Sequence, residues 1–152
     1  MRIETRLKEL GLALPPVPRP VGTYVPYVRT GNLLFVGGKV PYGPDGRVIV
    51  GKVGAQISVD EGYQHARLVG LTLVAAMKEA LGDLDRVTRI VKVFGMVNAV
   101  PDFTDHGTII NGCSDLLVEI FGERGAHARA AVGMGSLPRQ VPIEIETVVE
   151  VD

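Results

Sequence analysis

The sequence predicts an α+β domain, a mixed β-sheet carrying two main helices on one face. Three observations lead there. Apolar residues alternate with period two over residues 24–54, 86–100 and 127–151, but recur at helical spacing over 58–82 and 102–125. Clusters of Gly, Pro, Asn and Asp punctuate every change of period. The chain has 152 residues, 46% hydrophobic and 22% charged, which suits one ordinary core rather than two domains or a disordered chain.

"IETRLKELGLAL" sets Ile3, Leu7 and Leu10 on one helical face, with Gly11 as a stop. "PPVPRP", 15–20, cannot enter a helix interior or a central strand and reads as a stiff extended connector. Residues 1–20 are therefore expected to be a helix and spacer docked on a main body spanning 21–152. "YVPYVRTGNLLFVGG", 24–38, reads as a hairpin turning at Thr30-Gly31-Asn32. "GPDGRVIVGKVG", 43–54, adds a turn and a third short strand. "SVDEGYQHARLVGLTLVAAMKEALG", 58–82, has Ser58 or Asp60 as N-cap, acids in the first turn and Gly82 at its end. Tyr63, Ala66, Val69 or Gly70, Val74 and Met77 form its apolar stripe. "RVTRIVKVFGMVNAV", 86–100, is a β-branched strand. Ile109, Ile110, Cys113, Leu116, Leu117 and Ile120 give 102–125 a helical stripe that ends at Gly122 or Gly125; Cys113 on that stripe is a buried structural thiol. Two closing strands follow, giving the order β-β-β-α-β-α-β-β. A sheet covered on one face leaves the other apolar, so self-association is expected.

The formal charge is -1 and no Lys or Arg run stands out, so neither nucleic acid nor an anionic membrane is implied as partner. The one cysteine excludes an internal disulfide and points to a reducing compartment. The charged start lacks the apolar region of a secretion signal, and "LVGLTLVAAM" is too short to span a bilayer. A cytoplasmic, soluble protein is expected. His65, His106 and His127 are far apart in sequence and show no ligand spacing, so no metal is expected. "VGMGSLP" follows no strand-to-helix turn and is not a phosphate loop.

The chemistry lies in the last two segments. By alternation, His127, Arg129 and Ala131 share one face, and Glu144 and Glu146 face away from Ile143 and Ile145. One reading makes the glutamates the solvent face of an edge strand, with Arg129 as a cross-strand ion pair. The other makes Arg129 a planar fork for a substrate carboxylate, flanked by alanines that leave room, with a glutamate moving a proton. His127 is either a polar strand-entry residue or part of the site.

"ARAAVGMGSLPRQVPIEIETVVEV" resembles the C-terminal signature of the RidA/YjgF family of enamine/imine deaminases, formerly called endoribonuclease L-PSP: an arginine, a small residue, a Leu-Pro turn, then an E-I-E strand. "VGTYVPYVRTGNLLFVGGKVPYGPDGRV" and "FTDHGTIINGCSDLLVEIFGE" are similar to the family's N-terminal hairpin and its F…N…F helix. The resemblance implies a chorismate-mutase-like subunit, a trimeric barrel of sheets, and sites in clefts between subunits. It implies Arg129 as carboxylate anchor, Glu144 as the residue that activates water, Tyr24 and Gly38 lining the pocket, Asn111 on the helix, and Ala131 two residues beyond the arginine. No cofactor is implied. The chain departs from the family at Ala131, where deaminases carry cysteine, at Gly37, where they carry serine, and in its added N-terminal helix. It resembles a divergent branch. The implied activity is hydrolysis of small 2-imino or enamino acids to 2-oxo acids and ammonia. The alternative is a trimeric protein that binds a small carboxylate metabolite without turnover. RNA cleavage, associated with some members, fits poorly with the near-neutral charge.

Overall fold

A computed structural model describes residues 2–152. Helix α1 (Arg2–Glu9) forms where the stripe predicts it. Its first amides are capped from elsewhere: Arg2 and Ile3 N–H donate to the Asp85 carboxylate at 2.8 and 2.9 Å. Lys78 Nζ donates to Glu4 at 2.7 Å, Leu7 is buried, and Ile3 and Leu10 pack on the core. The proline stretch after it has no regular structure.

Strands β1 (Tyr27–Thr30) and β2 (Leu33–Lys39) form the expected hairpin, with Gly31 at φ +57° in the turn. The third strand expected within 43–54 does not form. Only isolated bridges occur there, Tyr42 with Val48 and Val53 with Ile57 and Ala99. Gly46, Gly51 and Gly54 all adopt positive φ, which bends the segment too often for its Val-Ile-Val run to lie beside a neighbour.

Helix α2 (Val59–Leu81) starts at a capping box, Ser58 Oγ accepting from Glu61 N–H while Glu61 accepts from Ser58 N–H. Strand β3 (Val87–Asn98), helix α3 (His106–Phe121) with a 3₁₀ turn over 122–125, strand β4 (Ala128–Met134) and strand β5 (Ile143–Val151) follow. The sheet order is β1-β2-β5-β3-β4, antiparallel except for β3 with β4.

The two closing strands are therefore not partners. Helix α3 carries the chain back so that β4 runs parallel to β3 as an edge strand. Residues 135–142 then cross to the other side of β3, and β5 lies between β2 and β3. This overturns the reading of Glu144 and Glu146 as residues of an edge strand paired with Arg129. Strand β3 separates them.

Helices α2 and α3 cover one sheet face. Val69, Leu73, Met77, Ile110, Cys113 and Leu117 meet Ile90, Val93, Ile143, Ile145 and Val149 in one core, all fully buried. The helices touch at Gly112, where a Cβ would overlap the Tyr63 carbonyl. The opposite face bears no helix. Val28 and Phe35 are 52% and 44% exposed there, and Phe94, Glu146 and Val148 line a hollow beside them. No helix is long and apolar enough to cross a membrane among the described residues.

Candidate functional site

Arg129 leaves β4 toward α3. Its position opposite Val93 puts it on the helix side of the sheet. There its Nη1 donates to Asn111 Oδ1 at 2.7 Å and to Ser114 Oγ at 3.1 Å. Asn111 and Ser114 are three residues apart, one above the other on the face of α3 that looks toward β4. Ser114 Oγ also lies 2.9 Å from His127 Nε2, and His127 Nδ1 lies 2.6 Å from the Gly125 carbonyl. Both acceptors on Arg129 are neutral, and no carboxylate of the described residues forms an ion pair with it. Arg129 is exposed, and a guanidinium held at one nitrogen by neutral acceptors keeps its remaining donors for an anion. Ala131, on the same side of β4, packs against the core. Cys113, just beneath, is buried and its thiol is pushed up to about 12 by that burial, so it stays protonated and inert.

A second group surrounds a cavity of about 320 Å³ at the far side of the sheet, lined by Tyr24, Gly38, Lys39, Arg139 and Glu144 among others. Glu144 pairs with Met96 on the helix-free face, half-buried. Burial pushes its carboxyl above the ordinary range, and neighbouring Glu146 adds to this, while Lys39 pulls it back. Lys39 is only 6% exposed, and its ammonium donates to the Pro26 and Gly37 carbonyls at 3.2 and 3.0 Å. Burial lowers the pKa of Lys39, against the pull of Glu144 and Glu79. A Cβ at Gly38 would come within 2.7 Å of Glu144 Oε2, so glycine is what leaves that oxygen open. Tyr24 is 61% exposed at the mouth.

The residues expected at one site thus fall into two groups. Arg129, Asn111 and Ala131 sit between β4 and α3; Tyr24, Gly38 and Glu144 sit around the cavity beyond β2. Ser114 and Lys39 went unnoticed in the sequence, although Ser114 lies one helical turn from Asn111 and Lys39 directly follows Gly38. His127 stands at the entry to β4, and both its ring nitrogens have partners. Among the described residues, the carboxylates of Glu4, Asp83 and Asp85 are the one group gathered at metal-ligand spacing. They lie at the start of α1, where Asp85 caps the helix.

A family model described as "YjgF/chorismate_mutase-like, putative endoribonuclease" matches residues 4–143. The chain belongs to this family. The YjgF match extends to relatives of different names. Protein TCP17 of Trypanosoma cruzi is 42% identical over 99% of this chain and 95% of its own length. The 2-iminobutanoate/2-iminopropanoate deaminase of Escherichia coli K12 is 27% identical over 86% of this chain and 89% of its own. The crystal structure of a "putative endoribonuclease" from Shewanella oneidensis MR-1 superposes with a TM-score of 0.93 at 35% identity, covering 98% of this chain and 99% of that one. The YjgF fold expected from the sequence is thus the fold observed, and the family includes proteins named as imine deaminases.

Proposed function

We propose that this protein hydrolyses small 2-imino or enamino acids to 2-oxo acids and ammonia, as a homotrimer whose sites are completed between neighbouring subunits. The observation that carries this is Arg129: an exposed guanidinium whose protein partners are both uncharged. The substrate carboxylate pairs with it, and the bidentate geometry aims the C=N carbon at a water held by Glu144. Water oxygen bonds to that carbon as one of its protons passes by way of Glu144 to the imine nitrogen, giving a carbinolamine whose hydroxyl proton follows the same route. The C–N bond then breaks, leaving the 2-oxo acid and ammonia. An imine is already electrophilic, so the step calls for no cofactor. Tyr24 covers the ligand, and Gly38 leaves the carboxylate of Glu144 accessible.

Arg129 and Glu144 lie on opposite faces of one sheet, so this chemistry draws them from different chains. The exposed Val28 and Phe35 supply an apolar surface for such an assembly. The relative named as a 2-iminobutanoate deaminase supports the choice of substrate.

The test is to generate 2-iminobutanoate in place with a threonine dehydratase and follow 2-oxobutanoate against a buffer control. Wild-type protein is expected to accelerate its formation, and Arg129→Ala to remove the effect. Glu144→Gln is expected to lose turnover but keep binding of 2-oxobutanoate. Absence of acceleration, with 2-oxobutanoate still bound, would leave a carboxylate-binding protein in place of an enzyme.

A further inference from the structure

We propose that Ser114 and His127 are positioning residues that decide which edge of Arg129 meets the substrate, and that Gly107 keeps that edge open. The inference rests on the reading of Arg129 as a carboxylate anchor and goes one step deeper.

His127 sets the direction of the relay. A carbonyl oxygen only accepts, so the 2.6 Å contact with Gly125 O requires the proton on Nδ1. In the neutral ring Nε2 is then a bare acceptor, and the Ser114 hydroxyl, 2.9 Å away, donates to it. That fixes the rotor of Ser114 and turns its oxygen lone pairs toward Arg129. Arg129 Nη1 has two N–H groups. One goes to Asn111 Oδ1 and the other to Ser114 Oγ. Nη1 is fully engaged.

What remains is the side of the guanidinium formed by Nε and Nη2, whose parallel N–H bonds match the two oxygens of a carboxylate. Neither atom has a hydrogen-bond partner among the described residues. Gly107, one turn before Asn111 on α3, stands directly beside this edge, and a Cβ there would lie 3.3 Å from Nη2. A larger side chain would reach over the edge where the carboxylate docks. Four residues therefore act on one group: Asn111 and Ser114 occupy Nη1, His127 orients Ser114, and Gly107 leaves Nη2 free.

Two measurements on the full chain test this. The first is the tautomer of His127 at pH 8, read by ¹⁵N NMR of histidine-labelled protein and assigned against His127→Gln. The Nδ1–H form is expected; the Nε2–H form would overturn the relay whatever the activity. The second is calorimetric titration with 2-oxobutanoate and with 2-oxobutanamide, which lacks the charge. Ser114→Ala is expected to weaken 2-oxobutanoate about ten-fold, the scale of one hydrogen bond to a charged group, and to change the amide little. Ser114→Thr, which keeps the hydroxyl, should bind like wild type, and Gly107→Val should not bind. A general loss of structure would weaken both ligands alike and would not be rescued by threonine, and that result would overturn the inference. Wild-type binding with Ser114→Ala unaffected would overturn it and spare the anchor reading. Failure of the wild type to bind 2-oxobutanoate would remove both.

Discussion

Glu144 is held between opposing influences. Burial and Glu146 disfavour its charge, and Lys39 restores part of it. A general base works only when ionised, so the rate should rise with pH through a limb above the ordinary carboxylate range. Lys39→Met removes the one favourable charge and should move that limb to still higher pH, as a pH–rate profile would show; an unmoved limb would mean that Glu144 is not the titrating base. At this scale the sequence was informative about charges set in apolar strands and silent about their neighbours. Arg129 and Glu144 stood out as charges in apolar strands. Ser114 did not, because one serine on a helix has many ordinary uses and its value depends on where β4 lies. Lys39 did not, because one lysine after two glycines carries no signal of its own. Its ammonium reaches the Pro26 and Gly37 carbonyls where the strand register shifts between Val36 and Lys39.

Helices were the most legible elements. Both α2 and α3 carry long apolar stripes, and the stripe residues named from spacing in α3 are all buried. Strand pairing was much less legible. The alternation of β4 and β5 says which residues share a face, but nothing in it reveals that β3 lies between them. That arrangement follows from α3 acting as a crossover. The segment 43–54 has the composition of a strand and too many left-handed glycines to be one. Where α2 meets α3, Gly112 allows backbone contact that no side chain would permit. Gly112→Ala should therefore cost about 3 kcal/mol or more by overpacking, despite the better helix propensity of alanine. Urea unfolding would measure it, and a neutral result would mean that the helices separate more easily than their packing implies.

At the scale of the molecule, the helix-free face is the feature that stands out, with Val28 and Phe35 exposed on it. Phe35→Glu places a charge in the middle of its apolar surface. If that face closes the trimer, sedimentation should show wild-type trimers and mutant monomers, with turnover lost alongside. A mutant that stays assembled would assign the contact elsewhere. The separation of Arg129 from Glu144 gives a sharper expectation. Arg129→Ala and Glu144→Gln chains, each inactive alone, should recover roughly a quarter of the wild-type rate when assembled together at random, because some interfaces then join an intact arginine to an intact glutamate. No recovery would place both residues in one chain's site.

The same separation has a genetic side. Two defective alleles, one at each residue, would complement each other within a single cell. An allele carrying both substitutions would behave in the opposite way. Its product would spoil both interfaces it enters, so it would be dominant over a wild-type copy, whereas either single change would leave more of the mixed assemblies working.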